Sequence, residues 1–305
     1  MESRAVIRMQ RSVGLSWKLL VSSVIWGGLF PVSDYLLEFV PAMALEWLVY
    51  ASALVVAVWT IRPSTLRGHP IRVNTVGQLV AAGMIGYGLA IYAQFRGTYL
   101  SSAPMGATIM ATSPMFMMGF ARVFLQESIT RAQKAAAATA LVGVFFIVGL
   151  GAYSTHVIQG IAWLLAGAAG WAYASVVLKQ IHGQYLASTW TLTVGAIAAA
   201  MGVITPLAWH ALWWGVRWAP IWHWGPLFAL FYLGPVATLG AYYLWNHGLT
   251  EVRAGDGGLY LVLQPLVGTV VGALWFRQVL SWGFLLGASL IVLSLGLVAR
   301  TARNI

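Results

Sequence analysis

The sequence predicts an all-α integral membrane protein of ten transmembrane helices, arranged as two inverted five-helix repeats. Three observations carry this reading: the scarcity of charge, the spacing of the apolar runs, and an internal repeat. Of 305 residues, 60% are hydrophobic and only 8% are charged, whereas a soluble domain carries roughly a quarter charged residues to face water. Mean hydropathy is +0.81. Too little polar surface remains to cover such a chain in water, so the predicted solvent is lipid.

Cutting the chain at charges, prolines and glycine-polar clusters leaves segments near the ~20 residues that a helix needs to cross the hydrocarbon. The predicted spans are 15–36, 43–61, 76–95, 101–123, 133–151, 159–178, 188–208, 225–247, 255–275 and 281–299. Arg4, Arg8, Arg11 and Lys18 precede the first apolar run in the manner of a signal peptide, but no small-residue cleavage site follows, so this run reads as an uncleaved first helix. The connections are short, which makes successive helices antiparallel neighbours. Long unbroken apolar runs do not fit the alternating pattern of an outer-membrane barrel.

Orientation follows from the cations. With the N-terminus inside, the inner side receives Arg4, Arg8, Arg11, Lys18, Arg62, Arg67, Arg72, Arg122, Arg131, Lys134, Lys179, Arg253, Arg300 and Arg303, and the outer side only Arg96, Arg217 and Arg277. This positive-inside bias predicts a multi-pass protein of the cytoplasmic (inner) cell membrane with both termini cytoplasmic, which requires an even number of spans. The net charge of +10 is explained by the same anchoring. The basic residues sit in short gaps between apolar runs rather than in one patch, so nucleic acid is not an expected partner.

Shifting the chain by 151 positions carries Pro114 onto Pro265, Gly97 onto Gly248, Gly106 onto Gly257, Gly83 onto Gly234, Tyr92 onto Tyr243 and Ala103 onto Ala254. The matches cluster in one stretch of each half and fall on conformationally special residues. The predicted units are therefore residues 1–151 and 152–305. Each holds an odd number of helices, so the second enters the membrane upside down relative to the first, an arrangement that can build two alternative gates around one central site.

Some familiar chemistries are excluded. The chain has no cysteine, which removes disulfides, thiolate nucleophiles and thiolate metal sites. His69, His156, His182, His210, His223 and His247 fall in loops or at helix ends without metal-ligand spacing, so no metal and no cofactor are expected. Neither a nucleophile elbow nor a pair of midplane carboxylates is present, so no catalytic residue is assigned and an enzyme is not expected. Asp34 and Glu46 lie near the outer ends of the first two helices, Glu127 at the inner end of the fourth and Asp256 at the inner start of the ninth. End positions let a carboxylate reach water, and the expectation for each is a solvated interfacial group.

The candidates that remain are aromatic and small polar residues at predicted midplanes: Trp26, Tyr87, Thr112, Trp171, Thr238, Tyr242, Tyr260 and Gln264. Aromatic walls with a few hydroxyls and one amide suit an amphipathic, net-neutral small molecule, against the plainer reading that each ring packs on its neighbours or faces lipid. Pro31, Pro114, Pro235 and Pro265 interrupt helices at membrane depth, and the symmetric pair Pro114 and Pro265 are candidate hinges. The tryptophans of the stretch 209–224 read as an interfacial anchor on the outer face, and the glycines Gly27, Gly28, Gly106 and Gly257 as helix-packing positions.

Taken together, the chain resembles the drug/metabolite transporter superfamily, specifically its EamA-type members. The first half carries Ser113-Pro114, an apolar run to Leu125-Gln126-Glu127, then Ser128-Ile129-Thr130 and Gly143, and the second carries Gln264-Pro265, the run to Phe276-Arg277-Gln278, then Leu280-Ser281 and Gly287. Trp26-Gly27 opens the first helix as in many members. Two departures stand out: Gln126 replaces the usual Gly before the Glu, and Gln278 stands where the second-half Glu is usual. The resemblance implies a monomeric secondary transporter working by alternating access, an exporter of small amphipathic metabolites such as amino acids. A multidrug or toxic-compound efflux carrier is the alternative, and a membrane-embedded lipid enzyme or non-transporting protein a more distant one. No midplane Lys or Arg is available to hold a phosphate, which disfavours phosphorylated substrates. Nor does the first helix carry a carboxylate near Trp26, as the small four-helix proton-coupled exporters do.

Overall fold

The computed structural model describes residues 16–60, 73–148, 154–185 and 187–276, with scattered positions between 282 and 294. Among them all regular structure is helical. Nine helical rods follow one another: α1 (Trp17–Leu37), α2 (Ala42–Thr60), α3 (Val73–Ala82, Gly83–Leu89 and Ala90–Leu100), α4 (Ala103–Met110 and Ser113–Phe124) and α5 (Arg131–Val148), then α6 (Thr155–Tyr185), α7 (Thr189–Gly215), α8 (Trp224–Glu251) and α9 (Ala254–Gly258, Leu259–Val262 and Leu263–Phe276). Six of them, α1, α2, α3, α6, α7 and α8, are unbroken and apolar enough to cross a bilayer. The tenth predicted span, 281–299, lies largely outside the described residues, as do Arg277, Gln278 and the chain before Ser16.

The irregularities repeat with the sequence. Gly83–Leu89 of α3 and Tyr232–Gly240 of α8 both widen into π turns, and the shift of 151 positions lays the first segment on Gly234–Gly240, inside the second. In α8 the cause is visible: Pro235 has no N–H to give, so the helix loosens, and the Thr238 hydroxyl satisfies the Leu233 carbonyl at 2.8 Å. A second break interrupts α4 at Ala111–Thr112, where the chain restarts at Ser113 with Pro114 in its first turn. At that position the missing N–H is harmless. Its counterpart in α9 is the 3₁₀ turn Leu259–Val262, two residues before Gln264-Pro265.

The halves interlock rather than sit side by side. On the α3–α6 face, α3 packs on α6 and α8 on α1, while α2 packs on the π segment of α8 and α7 on that of α3. Paired glycines allow these approaches. A Cβ on Gly97 would meet the Gly160 carbonyl of α6 at 2.8 Å and Leu164 at 2.6 Å. Its repeat partner Gly248 faces Leu19 of α1 at 2.8 Å in the same way. Large apolar side chains such as Trp59, Val58 and Phe228 remain exposed on the outside, as lipid-facing residues do.

Two sequence expectations are corrected. Helix α6 runs for 31 residues, roughly 46 Å at the usual rise and well beyond the hydrocarbon thickness. Lys179, expected in a loop, therefore lies on the last turns of that helix. Glu46, expected to reach water from a helix end, is 0% exposed, in a helix packed on by α8, α7 and α3. The stretch 209–224 does expose Trp209, Trp213, Trp214, Trp222 and Trp224, around a one-turn helix Trp218–Ile221.

Candidate functional site

Where the halves meet there is a small internal space of about 20 Å³. Three pairs of residues that line it, Ile91 with Tyr242, Met110 with Leu261, and Ser113 with Gln264, are each separated by the repeat shift of 151 positions. The space is therefore lined in part by equivalent positions of the two halves. Ser113 and Gln264 are the residues immediately before Pro114 and Pro265, so the helix breaks deliver their side chains there.

Aromatic rings form the remaining wall. Trp26 of α1 meets Trp171 of α6 edge-on at 5.3 Å and Tyr242 of α8 at 5.5 Å. Trp245 closes on both tryptophans at 5.3 and 5.1 Å. Such edge-to-face contacts favour a rigid box, and hydrogen bonds fix its members. The Trp26 indole donates to the Ala237 carbonyl at 2.8 Å, within the π segment, and the Trp245 indole to the Ser175 hydroxyl at 3.3 Å. Behind Tyr242 lies Tyr87, at 4.3 Å between ring centroids. Its hydroxyl accepts from the Asn246 amide at 2.9 Å. The amides of Gln94 and Gln264 line the space and are buried. They are the amide-bearing residues of an otherwise largely apolar box without an ionised side chain.

Of the residues singled out in the sequence, Trp26, Trp171, Tyr242 and Gln264 line this space, and Tyr87 supports it from behind. Three do not. The Thr112 hydroxyl donates to the Ile109 carbonyl at 2.7 Å and that of Thr238 to Leu233, the backbone bonding that short hydroxyl side chains adopt in helices. Tyr260 sits away from the box, where its hydroxyl accepts from the Ser16 N–H at 3.1 Å. Sequence reading missed Gln94, Ser113 and the apolar positions. Applying the repeat shift to Tyr242 and Gln264 would have found Ile91 and Ser113.

A second polar cluster ties together the end of the bundle at which α4, α6 and α8 finish. The chain leaves α4 through Gln126, whose φ of 55° is left-handed, a position that glycine fills without strain. This turn points Glu127 at three donors: the Lys179 ammonium at 3.2 Å, the Ala254 N–H at 3.0 Å and the Gly255 N–H at 3.3 Å. Lys179 also donates to the Val252 carbonyl. Around them Gln133 of α5 donates to Asp256, Arg253 pairs with Asp256 at 3.2 Å, and Lys18 of α1 pairs with Glu251 of α8. Six helices are thus latched at one end, and a solute could not pass there without breaking charge-assisted bonds.

Comparison with known proteins agrees with this architecture. The chain is 24% identical over 266 residues to the uncharacterized transporter YyaM of Bacillus subtilis, covering 83% of each protein. It is 27% identical to the pseudopaline exporter CntI of Pseudomonas aeruginosa, across 75% of this chain and 77% of that one. It is also 25% identical to a probable terminal-alkyne amino-acid exporter of Streptantibioticus cattleyicolor, across 93% of both. A crystal structure of another protein, only 18% identical, superposes with a TM-score of 0.74 over 95% of this chain and 97% of that one, a likeness of fold alone. The profile of the EamA-like transporter family matches twice, at residues 14–149 and 158–300. Two copies of one helical unit, interlocked around a shared internal space, account for both matches, and the chain belongs to the EamA-like transporter family of multi-pass membrane proteins.

Proposed function

We propose that this transporter exports small, net-neutral amphipathic metabolites, amino acids or their close derivatives, by alternating access between two inverted five-helix halves, with both termini on the cytoplasmic side of the cell membrane. The observation that carries the reading is the box where the halves meet: indole and phenol faces stack on an apolar part of the solute, and Gln94 and Gln264 direct its polar part, while Ser113, whose hydroxyl donates to the Met110 carbonyl at 2.6 Å, can only accept. No ionised side chain lines it, which favours substrates without net charge. Two relatives named as exporters, one of pseudopaline and one of a terminal-alkyne amino acid, support outward movement, and the second supports an amino-acid substrate.

The space of about 20 Å³ holds roughly one water molecule, whereas small-molecule sites occupy several hundred Å³. The conformation described is therefore a closed one. The latch of Glu127 and Lys179 shuts the predicted cytoplasmic end, and the solute is admitted when α4, α6 and α9 part there. Pro114 and Pro265, at equivalent breaks, are where the helices bend. A rigid scaffold would be filled with side chains in the same way, and it is the family that favours a transporter.

The test is uptake into proteoliposomes by the purified protein, using labelled neutral amino acids in parallel with hydrophobic organic cations. Saturable movement of at least one amino acid, weakened by Trp26→Ala, is expected. Movement of the cations alone would replace this reading with a multidrug carrier, and movement of neither would overturn the substrate class.

A further inference from the structure

Glu46 stands apart from every other acidic residue described. It lies in the second turn of α2, is 0% exposed, and neither carboxyl oxygen has a hydrogen-bond partner. Asp34 is half-buried and Glu38 exposed, and the remaining described acids are paired: Glu127 with Lys179, Glu251 with Lys18, and Asp256 with Arg253. An unpaired carboxylate in so dry a place would carry a desolvation penalty far beyond what a fold tolerates, whereas the neutral acid leaves only ordinary polar atoms unsatisfied.

No counter-charge pairs with it among the described residues. The elements packed against α2 are α1, α3, α7 and α8. Their titratable groups are Lys18, Asp34 and Tyr35 on α1, Tyr87, Tyr92, Arg96 and Tyr99 on α3, His210 on α7, and Tyr232, Tyr242, Tyr243, His247 and Glu251 on α8, with Glu38 and Arg217 at the adjoining turns. None forms an ion pair with Glu46, and the Arg217 guanidinium donates instead to the Glu38 carbonyl. Tyr50 stands one turn along α2 from Glu46, on the same side of the helix. Tyr50 donates to the backbone carbonyl of Tyr87, Tyr87 lies against Tyr242, and Tyr242 lines the central box. The buried acid is thus connected, through Tyr50 and Tyr87, to Tyr242 at the site where solute is proposed to bind. A proton is the ligand that suits a buried carboxyl group with no partner at either oxygen.

We infer that Glu46 is a proton-binding site that couples solute export to inward proton movement, Tyr242 reporting the occupancy of one site to the other. The carboxylate takes a proton from water at the end where α2 begins, is closed over as the neutral acid, and returns the proton to water at the opposite face after solute has left. This rests on the transporter reading.

Two measurements on the full chain in lipid decide it. In proteoliposomes with an acid interior and a labelled neutral amino acid outside, wild type is expected to accumulate the amino acid above the external concentration. Glu46→Gln is expected to lose that accumulation, its ratio falling to one, while keeping downhill exchange, and Glu46→Asp to retain part of it. Accumulation undiminished in Glu46→Gln, accumulation driven by a sodium gradient instead, or wild-type exchange indifferent to the pH gradient would each overturn the proposal. Infrared spectroscopy reads the proton without any solute. A carboxylic-acid C=O band present in wild type at neutral pH, shifted in deuterium oxide and missing in Glu46→Gln, is expected, and identical spectra would overturn the site. If no amino acid moves, the substrate reading fails, and the infrared result alone upholds or overturns the proton site.

Discussion

Glu127→Gln tests the latch. In the wild type the two carboxylate oxygens accept three bonds, from Lys179, Ala254 and Gly255, at 3.0 to 3.3 Å, and the Glu127 and Lys179 side chains are 13% and 17% exposed. Glutamine keeps one acceptor oxygen, loses the other, and strands the Lys179 ammonium against a neutral group. One charge-assisted bond contributes about 1.5–3 kcal/mol, and orphaning a largely buried charge adds to that before solvent at the rim discounts it. A net loss of about 3 kcal/mol from the latched state follows, which is about a hundredfold in its population relative to the open one. The chain contains no cysteine, so Ser113→Cys alone places a single thiol in the central box. Its modification by a membrane-impermeant thiol reagent, applied from the face bearing Glu127, reads the open population. In the Glu127→Gln background modification is expected to accelerate by about that factor. Adding Lys179→Met should then change the rate less than it does alone, because the pair is already broken. An unchanged or slower rate in Glu127→Gln would refute the assignment of this cluster as a gate.

Two other outcomes are expected. Gln126→Gly removes a left-handed strain of about 1 kcal/mol at φ 55°, so the thermal unfolding midpoint of the purified protein should rise, and a fall would mean that the side-chain bond from Gln126 to the Val123 carbonyl matters more. Gly97→Val drives a branched side chain into the Gly160 carbonyl and Leu164, an overpacking of about 1–3 kcal/mol. A lowered midpoint and weaker expression are expected, and wild-type stability would show that α3 and α6 can separate freely.

Much of this molecule is written in one dimension. Hydrophobicity alone marks where helices run, since the lipid's lack of hydrogen-bonding partners forces every backbone polar group into a helix. That constraint is local, and the predicted limits of α1, α2 and α4 fall within a few residues of those observed. The coincidence of Pro114 with Pro265 and of Gly97 with Gly248 announced the repeat, because backbone breaks and close contacts admit few residue types. The fates of Glu46, Thr112 and Tyr260 were not legible. Whether a side chain faces lipid, its own backbone, a neighbour or a cavity depends on the rotation of each helix and on what closes over it, and those are set by contacts between segments far apart in the chain. Glu46 illustrates the difference: position along α2 suggested water, and only the packing of α3, α7 and α8 around it removed that water and left the acid alone.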